Sequence, residues 1–436
     1  MIIMSTSKQN PEILDAARRR EYEEVYSKLA AAKAVARQVG MLSTATKNGL
    51  LLAVAAALEE HSEEILAANK KDLDAGAAAG LSAALLDRLS LDENRIKAIA
   101  QGVRKVANLP DPIGEIVRGH TMANGIQMRQ IRVPLGVMGM VYEARPNVTV
   151  DAFSLALKSG NAVVLRGSKT ALESNKALVS LLKNVLTTHR QPADMVQLLP
   201  CESHDSVQDL ITARGLVDVV IPRGSSRLIA AVVAGATVPT IETGAGNCHF
   251  YIDRDASLQK ALAMVLNGKT RRTSVCNATE TVLIDSGIAT SSRYSIISEL
   301  QRAGVTIHGD AEVQTFAPRV IPATDEDWAK EYLSMDIAVR FVDGVDEAIA
   351  HINKWSTGHT EGIATQNYET ARRFAQEVDA AAIMINASTA FTDGEEYGMG
   401  AEIGISTQKL HARGPMGLVE LTSTKWILEG NGQIRP

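Results

Sequence analysis

The sequence predicts an α/β protein built on a doubly wound parallel sheet, with a second α/β set after it. Two observations lead there. From residue 135 short apolar runs alternate with amphipathic helical stretches, and a second alternating set runs from about 251 to 384. Strands separated by helices of this length form right-handed βαβ units and a parallel sheet. At 436 residues the chain also exceeds what one hydrophobic core usually serves, so two or three domains are expected.

The elements follow in order. Residues 44–69 and 90–108 read as helices, the second opened by Ser90 and Glu93 at capping-box spacing, with Ile96, Ile99, Val103 and Val106 on one face. "GVMGMVY" (136–142) reads as a strand, 148–158 as a helix closed by Gly160, and "NAVVLRG" (161–167) as the next strand. The helix over 170–189 repeats Leu178, Leu181, Leu182, Val185 and Leu186 at helical spacing. The alternation continues through "LVDVVIP", "SSRLIAAVVAG" and "TVPTIET", and then through "ETVLID", "VTIHG", "DIAVRFV" and "TEGIATQ". The last 45 residues are glycine-rich and irregular until one more strand at 422–428.

Composition excludes several functions. A net charge of −5 leaves no electrostatic footprint for nucleic acid or an anionic membrane, and 4% aromatic residues offer no base-stacking surface. The longest apolar run, residues 50–58, is about half the ~20 residues a bilayer requires, so no spanning segment is expected. The early "ARRREYEEVY" lacks the apolar stretch of a signal peptide. Cys201, Cys248 and Cys276 cannot make a disulfide framework, and the simplest expectation is a reducing cytoplasm.

The motifs narrow the chemistry. No G-x-G-x-x-G opens a helix, because "GAGNCH" (244–249) precedes a strand. Instead "RGSK" (166–169) and "IPRGSSR" (221–227) place glycine, hydroxyl and cations at two strand-to-helix turns, which suits phosphate groups as well as a plain solvated loop. Nine histidines without metal-ligand spacing argue against a metal, and no G-x-S-x-G elbow is present. Cys276 follows Arg271 and Arg272, cations that would lower a thiol pKa if close in space; a buried packing thiol is the alternative. Cys201 and Cys248 read as packing residues at strand ends.

Taken in order from 133 to 417, "VPLGVMGMVYEARPNVTVDAFSLALKSGNAVVLRGSK", "IPRGSSR", "ETGAGNCHFYID", "SVCNATETVLID", "DEAIAHIN" and "AEIGISTQKLHARGPMG" closely resemble the gamma-glutamyl phosphate reductase family, a branch of the aldehyde dehydrogenase superfamily. The resemblance implies an aldehyde dehydrogenase-like fold and an NADPH-dependent oxidoreductase. It would turn L-glutamate 5-phosphate into L-glutamate 5-semialdehyde and phosphate, the second step of proline synthesis from glutamate.

Residue by residue, the resemblance makes Cys276 the nucleophile that accepts the acyl group as a thioester. Asn147, with the Cys276 backbone N–H, would hold the oxyanion, although its place before Val148 also suits a helix N-cap. Arg166, Gly167, Ser168 and Lys169 match positions around the adenosine ribose, where the Lys169 cation favours a 2′-phosphate. Gly224 and Ser225 match the pyrophosphate turn, and Glu331 the nicotinamide ribose. Glu242, 34 residues before Cys276, stands where hydrolytic relatives keep the glutamate that activates water; here it is either a residual acid–base group or structural. Ala390 stands where the family usually has arginine, and Arg271 and Thr273 where it has Gln and Pro. Arg145, or another cation near the pocket, is therefore expected to bind the substrate carboxylate, with Asn386 and Ser388 as further substrate-binding residues.

The implied organisation is a cofactor domain (1–120 and 134–241), a catalytic domain (242–384), and an oligomerisation hairpin with C-terminal segment (121–133 and 385–436). A homodimer or homotetramer follows from pairing of the hairpin, and a glutamate 5-kinase is a candidate partner. Two other readings stay open: a hydrolytic NAD(P)-dependent semialdehyde dehydrogenase that uses Glu242, and a catalytically silent nucleotide-binding relative.

Overall fold

The computed structural model describes residues 15–435 apart from Pro318; the part of the cofactor-domain expectation that falls on residues 1–14 lies outside them. The chain divides into two compact units, one reaching Ile241 and resuming at Gly417, the other Glu242–Met416.

The first unit opens with five helices: α1 (Ala16–Gly40), α2 (Thr44–Glu60), α3 (Ser62–Ala78), α4 (Ala83–Leu89) and α5 (Glu93–Asn108). The single helix expected over 44–69 is thus two, broken at His61, which ends one and starts the other. The cap of α5 also differs from the expectation. Asp92 accepts the Arg95 N–H at 2.7 Å, while Ser90 is bound to Arg95 and to the Asp87 carbonyl. Next come β1 (Ile116–Thr121), β2 (Gln127–Pro134), β3 (Val137–Tyr142), α6 (Asn147–Lys158), β4 (Ala162–Arg166), α7 (Leu172–Thr188), β5 (Val196–Leu198), α8 (Asp205–Thr212), β6 (Val219–Arg223) and α9 (Ser226–Gly235). The sheet order β5-β4-β3-β6 is parallel throughout. Every residue of β3 and β4 is buried, as required of parallel strands covered on both faces.

The second unit holds β7 (Cys248–Ile252), α10 (Leu258–Thr270), β8 (Thr279–Asp285), α11 (Thr290–Arg302), β9 (Thr306–Gly309), α12 (Ala311–Gln314), β10 (Ile321–Pro322), α13 (Asp325–Trp328), β11 (Asp336–Val342), α14 (Gly344–Trp355), β12 (Thr360–Ala364), α15 (Tyr368–Glu377) and β13 (Ala382–Ile385), with the short antiparallel pair β14 (Ile405–Ser406) and β15 (Gly414–Pro415). Its sheet runs β10-β9-β11-β8-β7-β12-β13 and is parallel. One apolar core lies around Phe250, Val282, Ile297 and Val339, another around Tyr251, Leu283, Ile352 and Phe374. Residues 385–416 belong to this unit, not with the C-terminal strand as expected. The Asn277 side chain grips the carbonyls of Ala390 and Thr392, and the Gly244 N–H donates to Ile405.

The last strand, β16 (Thr422–Glu429), returns to the first unit and pairs antiparallel with β2, giving the three-stranded sheet β1-β2-β16.

At the core of the second unit Lys269 and Glu280 form an ion pair with no solvent exposure, and the second Glu280 oxygen accepts the Leu333 N–H. Burial lowers the Lys269 pKa and pushes Glu280 up to about 7, against the attraction of each for the other. Removing one partner of such a pair strands the other. Lys269→Met is expected to cost about 3–5 kcal/mol, read as a large fall in Tm. Adding Glu280→Gln keeps an acceptor for Leu333 and removes the stranded charge, so more than half the loss should return. A double variant as unstable as the single one would contradict this account.

Candidate active site

In the first unit, sites gather at the carboxyl ends of β3, β4 and β6. Asn147 is the first residue of α6, and its amide donates to the Asp151 carboxylate at 2.9 Å. The structure gives it no capping bond, so the N-cap role is not what it performs. The Asp151 contact fixes which end of the amide is the donor and leaves a second N–H on the same nitrogen. Burial pushes the Asp151 carboxyl up to about 6, opposed by the Asn147 hydrogen bond. Arg145, two residues earlier, is half-buried.

The turn after β4 differs from its sequence reading. Arg166 is buried and spends its guanidinium on Ser206, the Gly167 carbonyl and the Ser203 carbonyl, so it braces the turn. The amino end of α7 is occupied as well. Buried Asp72 accepts the N–H groups of Glu173 and Ser174 and the Ser174 hydroxyl. Gly167 is needed for packing, since a Cβ there would lie 2.2 Å from the Asn175 amide nitrogen. Lys169 alone of the "RGSK" cations is exposed, beside half-buried Ser168.

The turn after β6 lies at the surface. Gly224 and Ser225 are exposed, and Ser225 caps α9 through its hydroxyl. Its N–H and hydroxyl donate to the two carboxylate oxygens of Glu143, at 2.8 and 3.0 Å. A Cβ on Gly224 would sit 2.6 Å from that carboxylate.

In the second unit, half-buried Cys276 lies between α10 and β8, at the amino end of the sheet. Its backbone is clamped from three directions. A Cβ on Gly246 would fall 1.4 Å from the Cys276 carbonyl oxygen, so only glycine lets the 244–247 segment lie against it. The Cys248 thiol donates to the same carbonyl at 3.1 Å, and burial pushes that thiol's pKa well up, keeping it a donor. Asn277, the next residue, is tied to the 390–392 turn by both amide hydrogens. Cys248 was read from sequence as plain packing; its two-residue spacing from Gly246 was the available signal.

Glu331 is half-buried, accepts the Gly246 N–H at 2.7 Å, and has its pKa raised by burial. Glu242 exchanges hydrogen bonds with Gln408: its N–H donates to the Gln408 side chain and its carboxylate accepts from the same amide. Ser388 is buried and Thr389 bonds Thr279 at the amino end of β8. Asn386 is elsewhere. It follows β13 at the opposite, carboxyl end of the sheet, and its amide exchanges two bonds with the Thr365 backbone, so it closes the β12–β13 edge and does not join Cys276. Arg271 and Arg272 are exposed. Among the described residues no cluster of three or more His, Cys, Asp or Glu is arranged for a metal.

The Gly246 contact makes a sharp prediction. Gly246→Ala should lower kcat by about a hundredfold or more, since a misplaced nucleophile forfeits the proximity term, while far-UV circular dichroism stays native. A folded variant with wild-type turnover would show that the clamp is unimportant.

Comparison with known proteins follows the same order of segments. The model of the aldehyde dehydrogenase family matches residues 3–333 and 337–427. A gamma-glutamyl phosphate reductase of Thermobifida fusca is 56% identical over 404 residues, 93% of this chain and 97% of that protein. The crystal structure of gamma-glutamyl phosphate reductase from Thermotoga maritima superposes with a TM-score of 0.93 at 42% identity, covering 95% of this chain and all of that one. The Saccharomyces cerevisiae gamma-glutamyl phosphate reductase gives a TM-score of 0.52 at 27% identity, over 94% and 98% of the two chains. The chain therefore belongs to the aldehyde dehydrogenase family, on its gamma-glutamyl phosphate reductase branch.

Proposed function

We propose that this chain reduces L-glutamate 5-phosphate to L-glutamate 5-semialdehyde and phosphate with NADPH, the second step of proline synthesis from glutamate. The observation that carries the reading is 56% identity over 93% of the chain to a reductase of that name, and a clamped, half-buried Cys276 suits the nucleophile's role.

The steps follow from the residues. The Cys276 thiolate attacks the acyl phosphate carbonyl and forms a C–S bond. The Cys276 N–H is assigned to the oxyanion so formed, and the resemblance implies the Asn147 amide as a further donor; one such donor is typically worth about 3–4 kcal/mol of barrier. Collapse breaks the C–O bond to phosphate and leaves a thioester on Cys276. A bound reduced dinucleotide would supply the hydride; the thiohemiacetal held on Cys276 would then break its C–S bond, releasing aldehyde and returning the thiolate.

Family members use NAD or NADP, and the residues here fit such a group. Ser225 has a hydroxyl and an N–H at the amino end of α9, both held by Glu143 in this structure, and Glu331 is a half-buried acceptor suited to ribose hydroxyls. Lys169 is the exposed cation we assign to the 2′-phosphate, hence NADPH. Arg166 holds the turn through the Ser203 and Gly167 carbonyls and the Ser206 hydroxyl.

Glu242 supports reductase over hydrolase. Its carboxylate and N–H are paired with Gln408, which holds the group that would activate water. Arg145 is assigned to the substrate carboxylate in place of the arginine missing at Ala390. The exposed apolar Ile116, Val117, Trp426 and Leu428 on the β1-β2-β16 sheet favour a dimer or a dimer of dimers. Transfer from a glutamate 5-kinase suits so labile an acyl phosphate, and a cytoplasmic setting suits both. No helix among the described residues is long and apolar enough to cross a membrane.

Cys276→Ser should abolish phosphate-dependent NADP reduction with pyrroline-5-carboxylate while NADPH still binds; residual turnover near wild type would sink the cysteine mechanism. For the substrate pocket, Arg145→Ala should raise KM at least tenfold, the worth of about 1.4 kcal/mol, with a smaller change in kcat. An unchanged KM would remove Arg145 from carboxylate binding.

A further inference from the structure

We infer that Glu143 is a built-in occupant of the cofactor's pyrophosphate seat, whose carboxylate must leave the amino end of α9 before the dinucleotide can settle there. The inference rests on the cofactor reading above and deepens it.

The seat is filled by an anion of the protein's own. Parallel pairing sets Tyr142 beside Arg223, so the residue after β3 meets the turn after β6. The Glu143 N–H donates to the Arg223 carbonyl, which anchors its main chain there. Both carboxylate oxygens are then used on a single residue, one on the Ser225 N–H at 2.8 Å and one on its hydroxyl at 3.0 Å. These are the donors a phosphate would take at the positive end of a helix, and α9 is ten residues long. Gly224 completes the fit, because any Cβ there would press on the carboxylate at 2.6 Å. Two anions cannot share one set of donors. Glu143 is exposed, so its side chain has solvent to move into while its backbone stays fixed. The carboxylate therefore stabilises the empty protein and opposes the dinucleotide.

The amino end of α7 shows the contrast. Its N–H groups are held by Asp72, which is buried with nowhere to go, so that end is closed permanently. The end of α9 is closed by a group able to withdraw.

The test is direct binding, by calorimetry, of NADP and of adenosine 2′-monophosphate, which lacks the pyrophosphate. Glu143→Ala should bind NADP roughly fivefold more tightly, the worth of about one capping interaction, with adenosine 2′-monophosphate unchanged. Its Tm without ligand should fall, and the Tm rise at saturating NADP should exceed that of the wild type. Glu143→Gln keeps the shape without the charge and should lie between, which preserves the test if the alanine variant folds poorly. Equal NADP affinity in wild type and variants overturns the inference and leaves the cofactor reading intact. Weaker binding also overturns it, making Glu143 a ligand of the cofactor. No NADP binding to the wild type would remove the cofactor reading itself, and the inference with it.

Discussion

The chemistry depends on how the backbone of Cys276 is held. A nucleophilic cysteine must keep its sulfur on the carbonyl it attacks and its N–H on the oxyanion, and both directions are set by the main chain. Here the carbonyl of Cys276 lies so close to Gly246 that a methyl group has no room, and the Cys248 thiol bonds that same oxygen. One residue on, the Asn277 amide ties the turn to the backbone of 390–392. The glycine-rich segment also carries a bond to Glu331, so the clamp and the acceptor proposed for the nicotinamide ribose share one backbone.

A thioester is useful to a reductase only while water is kept from it. Glu242, proposed to stand where hydrolytic relatives keep the glutamate used for that attack, is paired on both its carboxylate and its backbone N–H with Gln408. Phosphate is then the competent acceptor in the reverse direction, and reductase and hydrolase differ by what surrounds one retained carboxylate.

Much of the fold was legible because its signals are local. Strands 136–142 and 161–167 and the helix after Ser168 lie close to where their periodicity placed them. What could not be read depends on partners far along the chain. "RGSK" looks like a phosphate turn, yet Asp72 closes the helix behind it from 102 residues away and Arg166 is consumed by Ser203 and Ser206. Asn386 lies two residues from Ser388, and both follow the end of β13, but the Asn386 amide closes the β12–β13 edge, while the chain beyond turns back toward β8. The Ser90–Glu93 spacing is equally deceptive, since Asp92 is an equally good cap one step nearer the helix. Arg271 and Thr273 have no structural explanation.

The most direct test of the account is a single-turnover measurement with NADP and pyrroline-5-carboxylate in buffer free of phosphate and arsenate. Oxidation should yield one equivalent of NADPH per subunit and then stop, with the acyl group found on the Cys276 peptide by mass spectrometry and turnover restored by added phosphate. Steady NADPH production without either anion would mean that water deacylates the enzyme, and would contradict the central claim.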